Sequence, residues 1–155
     1  MTHEIRAAEP ADQHVLSELH RRSSWVWKED REALTAHPEV LGVALDAIAD
    51  RRVRVAVAAD GEVLGFSIVN EGAGGIRVLD DLFVDPAHFR QGVGRALIQD
   101  AVARAVATGH RSMTVVAHPR TFAFYESVGF VPGEAATTRF GPAVTMRREL
   151  GRRTQ

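Results

Sequence analysis

The chain has 155 residues, of which 45% are hydrophobic and 25% charged, so its size and composition are those of one folded domain and exclude a disordered segment. Its 19 basic and 20 acidic residues leave a formal net charge of −1, which argues against a protein that coats nucleic acid or a membrane surface, since both need a basic excess. The absence of cysteine excludes disulfides, thiolate metal sites and a cysteine nucleophile.

The first third of the chain predicts a strand followed by helices. Residues 3–7 alternate weakly, as a strand does, and Asp12 is placed to cap the helix that follows. Four residues form the expected apolar stripe of that helix: Val15, Leu16, Leu19 and Trp25. A second helical stretch runs from Glu29 towards Ile48, and Pro38 and Gly42 predict that it forms two pieces or a kink.

The middle of the chain predicts a hairpin and a further strand. Residues 52–59 and 63–69 are alternating and rich in β-branched side chains, and Asp60-Gly61 joins them with a strong hairpin signal. Glycines at 72–75 predict another turn, and residues 76–84 then form the next strand.

Farther along, apolar residues recur every four positions and predict a long helix that ends near Gly109. Its apolar positions are Val93, Leu97, Ala101 and Ala105, with Ile98 and Val102 beside them. A buried strand at 112–117, a short helix at 120–127 and two last strands, starting at 129 and at 143, complete the pattern.

This order of elements predicts one mixed α/β domain around a mainly antiparallel sheet. We expect six to seven strands flanked by about four helices over residues 1–150, with 151–155 as a frayed tail. The start of the chain carries no apolar signal-peptide region, and no apolar run reaches the ~18 residues of a spanning helix. A cytoplasmic protein is therefore expected.

A glycine-containing loop links the predicted strand at 76–84 to the long helix. The first N–H groups of a helix have no internal partner and the helix dipole is positive there, so such a place suits a phosphate. Gly92 and Gly94 would let the backbone approach an oxyanion, and Arg90 and Arg95 add charge. The Gly-x-Gly spacing alone fits a ligand-free tight turn equally well, and the nucleotide and dinucleotide fingerprints are incomplete.

The wider context of this loop is more specific. A strand ends in Val84-Asp85-Pro86, Gly-Val-Gly-Arg-Ala-Leu at 92–97 opens a helix, and Phe-Tyr-Glu-x-x-Gly-Phe at 124–130 follows about thirty residues later. This combination, from Val53 to Phe130, resembles the GNAT superfamily of acyl-CoA-dependent N-acyltransferases. The resemblance implies acetyl-CoA as co-substrate and the sheet of that family.

The resemblance also implies which residues bind the cofactor. Backbone groups of three strand residues would bind the pantetheine arm: Leu82, Phe83 and Val84. The loop from Arg90 to Arg95 would wrap the pyrophosphate, chiefly through the backbone N–H groups of Gln91, Gly92, Val93 and Gly94. His118 and Thr121 stand at the cofactor groove where relatives usually have Asn and Ala, and Phe89 stands where they usually have Arg or Gln.

Transfer of an acyl group to an amine needs a base, a polarised carbonyl and an acid for the leaving thiolate. Tyr125, the one tyrosine, matches the residue that commonly protonates the thiolate in the family and is the preferred acid; the alternative is an aromatic packed beside neighbouring phenylalanines. Asp80 and Asp81 are the candidate bases, with Asp80 at the acidic position of many relatives. Both could instead be solvated or pair with arginine, and a water chain could take the proton. The backbone N–H of Val84 is the candidate for polarising the carbonyl.

The resemblance places the acceptor pocket at the first two helices, near Trp25 and Trp27. We expect one tryptophan in the core, with the other forming the wall of the pocket and offering a cation–π face to the amine. The acidic residues Glu29, Asp30 and Glu32 could attract that cation, or could simply form a solvated helix start.

These observations predict an N-acetyltransferase that moves an acetyl group from acetyl-CoA directly to a primary amine of a small molecule, since no cysteine is available for a thioester intermediate. A non-catalytic acyl-CoA-binding module and a protein or peptide N-acetyltransferase remain alternatives. No His-Glu-x-x-His or other metal-ligand spacing occurs, so no metal is expected. Neither nucleic acid nor membrane is an expected partner, and the resemblance leaves a homodimer open.

Overall fold

The computed structural model describes residues 3–38, 41–138 and 140–151, so most of the predicted frayed tail lies outside the described residues. The strands are β1 Glu4–Ala7, β2 Val53–Val57, β3 Val63–Glu71, β4 Ile76–Val84, β5 Ser112–Ala117, β6 Val131–Thr138 and β7 Gly141–Glu149. The α-helices are α1 Gln13–Trp25, α2 Arg31–Ala36, α3 Leu45–Ala49, α4 Val93–Ala107 and α5 Phe122–Ser127. In this part of the chain, no helix is long and apolar enough to cross a membrane.

The strands form one seven-stranded sheet in the order β1-β2-β3-β4-β5-β7-β6. β4 and β5 run parallel, with Ile76 opposite Ser112 and Leu79 opposite Val115. Antiparallel pairs join β1 to β2, β2 to β3, β5 to β7 and β6 to β7. The predicted mixed, mainly antiparallel sheet is thus confirmed, and the parallel pair is connected through α4, as a parallel connection requires.

The chain divides into two compact units. The first unit combines the chain up to Ile68 with Asp81–Leu97, and the second combines Val69–Asp80 with the chain from Ile98 onwards. Strands β3 and β4 and helix α4 each contribute residues to both units.

The predicted hairpin of the first unit forms at Asp60-Gly61, where Gly61 has a φ of +89°. The register of β2 with β3 shifts between Ala56 and Val57, which marks a β-bulge. Because a bulge reverses the alternation of side chains, Leu64 and Phe66 pack into different apolar clusters although they are two residues apart.

The two apolar clusters make up the core of the first unit. The larger cluster joins α1, α3 and the valines of β2 and includes Leu16, Leu19, Ala47, Ile48, Val53, Val55, Val57 and Phe66. The smaller cluster joins the hairpin to the start of α4 and comprises Ala56, Leu64, Val93 and Leu97. The first turn of α4 is therefore held by packing, directly after the glycine loop.

The stripe predicted for α1 is only partly correct. Leu16 and Leu19 are fully buried, but Val15 and Trp25 are each 45% exposed. The buried face continues instead through His20 and Ser23, which lie four and seven residues after Leu16 and so share its side of the helix. Apolar character alone did not reveal that polar residues complete this face.

The core of the second unit forms around β5. Met113, Val115 and Ala117 alternate along the strand and are buried, whereas Val116 between them is exposed. Ile98, Ala101 and Ala105 give α4 the buried face predicted for it. Gly109 ends the helix with a φ of +79°, as expected of a residue just past a C-terminus.

The predicted capping role of Asp12 is wrong. Its side chain makes no cap hydrogen bond to α1. Instead, its carboxylate accepts hydrogen bonds from Arg6 Nη1 at 2.8 Å and Nη2 at 3.1 Å and from the backbone N–H of Glu9 at 2.7 Å. The bidentate hydrogen bond with Arg6 is the main reason that the pKa of Asp12 lies below its usual value.

This pair predicts a pH-dependent contribution to stability. Because the folded-state pKa of Asp12 is depressed, the contribution is present above about pH 4 and is lost as the pH falls through the folded-state pKa. Asp12→Asn should lower the free energy of unfolding by about 1–2 kcal/mol at about pH 7 and by much less at about pH 3. Urea unfolding at both pH values measures this difference.

Asp50→Asn is the matched control, since Asp50 is exposed and lies 3.4 Å from Arg52. It should change stability by no more than a few tenths of a kcal/mol. An equal loss in the two variants at neutral pH would contradict the role assigned to Asp12.

Candidate functional site

The loop between β4 and α4 contains a short 3-10 turn and two residues in left-handed conformations. The carboxylate of Asp85 accepts a hydrogen bond from the N–H of Ala87 at 3.0 Å and so begins a short 3-10 turn at Pro86–His88. Arg90 and Gly92 then adopt left-handed conformations, with φ of +64° and +80°. The first helical hydrogen bond runs from Ala96 N–H to the carbonyl of Gly92 at 3.0 Å.

Two properties of this loop fit a phosphate ligand. The N–H groups of the first turn of α4 precede the helical hydrogen-bond ladder and have no carbonyl within the helix to bind. A Cβ added to Gly92 would have nothing within 4 Å, so the space beside the backbone is open. Arg90 and Arg95, which stand on either side of Gly92 in the sequence, have exposed side chains.

The end of β4 is held very close to β3. A Cβ at Gly65 would lie 2.7 Å from the carbonyl oxygen of Phe83 and 3.3 Å from Cα of Val84, so only glycine fits there. The N–H of Asp85 also donates to the carbonyl of Leu64 at 2.8 Å. An isolated glycine inside the strand predicted at 63–69 is the sequence signal that could have identified this close approach.

The predicted pantetheine residues alternate in direction. Leu82 and Val84 are half-buried against the cluster that contains Leu64 and Val93, whereas Phe83 packs on the opposite cluster. β4 stays in register with β5 from Ile76 to Leu79 and then continues to Val84. The backbone of its last residues is therefore beyond the β4–β5 ladder, as binding to a ligand amide would require.

Two side chains of α1 bind this end of β4, and neither was predicted from the sequence. The hydroxyl of Ser23, which is buried, donates to the carbonyl of Val84 at 3.0 Å, and Arg22 Nη2 lies 2.8 Å from the carboxylate of Asp85. One turn earlier, the ring of His20 lies edge-on to Phe83, with 4.5 Å between ring centroids. A polar residue on the buried face of a predicted helix is the signal that could have identified Ser23.

His20 is a buried residue of this contact. Its Nδ1 accepts the N–H of Gly42 at 2.8 Å, and burial is the main reason that its pKa lies below the usual value. The ring therefore acts as a packing surface for Phe83, and it also contacts Phe66, with 6.2 Å between ring centroids.

His88 ties the loop to the β2–β3 hairpin. Its Nε2 lies 3.0 Å from Glu62 Oε1, and its Nδ1 lies 3.1 Å from Oε1 of Gln91 in the loop. The backbone carbonyl of Gln91 also binds His3 Nε2 at 3.1 Å. The hydrogen bond to the Glu62 carboxylate, followed by that to Gln91, raises the pKa of His88 above its usual value.

The structure does not give the two tryptophans predicted for the acceptor pocket the environments expected of them. Trp27 is half-buried and Trp25 is exposed, so neither belongs to the fully buried core. The guanidinium of Arg31 lies over the Trp25 ring at 5.2 Å, and Arg31 Nε donates to the Trp25 carbonyl at 2.8 Å. The cation–π contact predicted for a substrate amine is thus made by the chain itself. Asp30 is buried, which also disagrees with the predicted solvated acidic cluster.

The remaining candidates belong to the second unit, except for Asp81. Tyr125 is 8% exposed, and its ring packs edge-on against Phe124 at 5.1 Å and Phe130 at 5.6 Å. His118 and Thr121 are half-buried, and the Thr121 hydroxyl donates to the His118 carbonyl at 2.8 Å. Asp80 is exposed in the second unit, whereas Asp81 is half-buried in the first.

The family of the chain follows from residues 50–132. This segment, more than half of the chain, matches the model of an acetyltransferase (GNAT) domain. The chain belongs to this family. The β4 end, the glycine loop, α4 and α5 all lie within the matched segment.

Other GNAT proteins show the same likeness. The streptothricin acetyltransferase of Streptomyces lavendulae is 39% identical over 87 residues, which are 53% of this chain and 46% of that protein, so the match spans about half of the relative's length. The structure of the PaiA N-acetyltransferase of Thermoplasma acidophilum with coenzyme A has a TM-score of 0.76 at 20% identity, over 96% of this chain and 99% of that one. The phosphinothricin acetyltransferase of Sinorhizobium meliloti with AcCoA has a TM-score of 0.73 at 23% identity, over 97% and 90%. These structures confirm the GNAT fold.

The bonds of His88 predict a titration that NMR can follow. Both ring nitrogens face oxygen atoms, and only the imidazolium can donate to both at once, so the charged form is favoured. With a raised folded-state pKa, the contribution to stability is complete below about pH 6.5 and is lost as the pH rises through that pKa. The His88 midpoint should lie above about 6.5 in the wild type and fall in Glu62→Gln.

Glu18→Gln provides the control, because Glu18 faces His14 at 3.2 Å on the exposed side of α1. It should leave the His88 midpoint unchanged. The same His88 midpoint in the wild type and Glu62→Gln would show that the carboxylate does not set the charge of this ring.

Gly92 and Gly109 allow a matched test of the loop. Their φ values are +80° and +79°, and an added Cβ meets nothing within 4 Å at either position. Gly92→Val and Gly109→Val should therefore each destabilise the fold by about 1–2 kcal/mol through the same left-handed strain. Only Gly92→Val should weaken the binding of coenzyme A, by at least about tenfold, because only that residue lies in the loop predicted to bind the pyrophosphate. Calorimetry with coenzyme A measures both affinities, and equal affinities would show that the loop is only a turn.

Proposed function

We propose that the protein transfers an acetyl group from acetyl-CoA directly to a primary amine of a small molecule. The observation that carries this proposal is the left-handed Arg90–Gly92 loop, which opens α4 beside a β4 end that continues past its ladder with β5. The loop residues Arg90, Gln91, Gly92, Val93, Gly94 and Arg95 would bind the pyrophosphate, and Leu82, Phe83 and Val84 the pantetheine arm. His118 and Thr121 are proposed to border the same cofactor.

Acetyl-CoA, when bound, supplies the acetyl thioester whose carbonyl the amine attacks. The backbone N–H of Val84 is the proposed donor to that carbonyl oxygen. The Val84 carbonyl, on the next peptide unit, is already bound by Ser23, and Gly65 lies against the Phe83 carbonyl and the Val84 Cα, so the backbone on both sides of this N–H is held in position before any ligand arrives. A preorganised donor of this kind stabilises the developing oxyanion without rearrangement.

Two proton transfers complete the reaction. The attacking amine forms the new C–N bond and loses a proton to a base or to water, and the C–S bond breaks as Tyr125 donates its phenolic proton to the thiolate. Of the two candidate bases we propose Asp81, because it is half-buried and alternates onto the strand face of Phe83, which packs against α1. Asp80 is exposed, which supports a solvated role for it.

Tyr125→Phe tests the proposed acid. The change keeps the ring contacts with Phe124 and Phe130 and removes only the hydroxyl, so the variant should fold and its coenzyme A affinity should be nearly unchanged. The kcat for acetyl transfer should fall by about a hundredfold or more, since a general acid contributes this much. CoA release over a panel of small amines measures the effect. Ser127→Ala, which removes a hydroxyl from the same helix, should keep full activity.

The other possible outcomes of this experiment distinguish the alternative functions. An unchanged kcat in Tyr125→Phe removes the tyrosine as the acid. Binding of acetyl-CoA without turnover on any amine or peptide would favour the non-catalytic module. Turnover on peptides alone would favour a peptide N-acetyltransferase, and an absence of acetyl-CoA binding would overturn the proposal as a whole.

A further inference from the structure

Helix α1 and the start of α2 line a surface groove of about 490 Å³. Its lining combines three arginines with three apolar side chains: Arg21, Arg22, Arg31, Trp25, Val26 and Leu41. No acidic residue is among these lining residues in the part of the chain that the structure describes. As far as the described residues show, the lining of the groove is positively charged as well as apolar.

Two of the three guanidiniums are already neutralised or held by the chain. Arg22 pairs with Asp85 at 2.8 Å, and Arg31 is held by the carbonyl and the ring of Trp25. Arg21 is exposed and, among the described residues, has no hydrogen-bond or ion-pair partner. Arg21 is thus the guanidinium of the groove that is open to a ligand, and it could bind a carboxylate by two parallel hydrogen bonds.

Two of the apolar side chains that line the groove are exposed. Trp25 is 45% exposed and Val26 is 41% exposed, next to each other at the end of α1. Large apolar side chains that share an exposed groove with a few charged groups are typical of a ligand site, since the apolar surface gains from contact and the charged groups fix the orientation of the ligand.

The groove also adjoins the proposed reaction centre through its own residues. Arg22 of the groove binds Asp85, and Ser23, the next residue, binds the carbonyl of Val84. An acceptor in the groove would therefore contact the same segment of α1 that holds the end of β4, where the N–H proposed to polarise the thioester is located.

We propose that this groove is the acceptor site and that the acceptor is an apolar α-amino acid, with its carboxylate on Arg21 and its side chain on Trp25 and Val26. This inference rests on the proposed function and deepens it by naming the substrate class. The ligand group expected at Trp25 from the sequence was a cationic amine. Because Arg31 already stacks on the Trp25 ring and Arg21 is open nearby, the ligand group proposed for this part of the groove is instead an anion, the carboxylate.

The test compares leucine, methionine and phenylalanine with their carboxamides as acceptors. An amidated residue has an α-amine of pKa about 8, lower than that of the free amino acid, so intrinsic reactivity favours the amides. A preference of the wild type for the free acids must then come from the protein. We expect this preference, measured as kcat/KM for CoA release.

Arg21→Gln should raise the KM for the free acids by about tenfold or more and change kcat by less than about twofold, because the lost contact is made equally in the ground and transition states. Its KM for the amides should stay within about twofold of the wild type. Arg21→Lys should give intermediate values, and Arg104→Gln, an exposed change on α4 outside the groove, should behave as the wild type.

A wild type that prefers the amides, or an Arg21→Gln variant that retains the preference for the acids, would overturn the inference while leaving the proposed acetyl transfer standing. If no amine at all is acetylated, the proposed function fails, and calorimetry of leucine binding to the wild type and Arg21→Gln still decides the inference. Tighter binding by the wild type supports it, whereas equal or absent binding overturns it.

Discussion

The hydrogen bond from Ser23 to the carbonyl of Val84 fixes the backbone around which the proposed site is built. A strand that runs beyond its ladder with one neighbour would ordinarily leave its last peptides free to move. Here α1 holds the outgoing carbonyl, and the close approach of Gly65 holds the same backbone from β3. A buried hydroxyl bond of this kind contributes about 1 kcal/mol to stability, but its larger consequence is a fixed direction for the neighbouring N–H groups.

The same segment of α1 contacts the strand end proposed to bind acetyl-CoA and also lines the groove proposed to bind the acceptor, and all of these residues belong to the first unit. Arg22 and Ser23 hold the end of β4, and Arg22 also lines the open groove together with Arg21, Trp25 and Val26. The loop has a separate support, since His88 connects it to Glu62 of the hairpin. Paired charges thus position the backbone, and the arginine without a partner among the described residues faces the open groove.

Several features were predictable because they depend on local sequence. The strand at 76–84, the hairpin at Asp60-Gly61 and the end of α4 at Gly109 follow from alternation and turn chemistry, and the structure confirms them. Val15, Trp25 and Asp12 were predicted wrongly because each depends on what packs or pairs against it in the folded chain. The roles of Tyr125, Asp80 and Asp81 stay predictions until the variants are measured.

Residue types at fixed spacing were enough to identify the family, the order of elements and the loop that resembles a coenzyme A site. Which charges remain open, in contrast, depends on the folded chain. Arg22 is paired with an aspartate 63 residues away and Arg31 covers a ring six residues before it, whereas Arg21, directly before Arg22 on the helix, makes neither kind of contact among the described residues. Such differences arise from how the chain returns on itself, which periodicity does not encode.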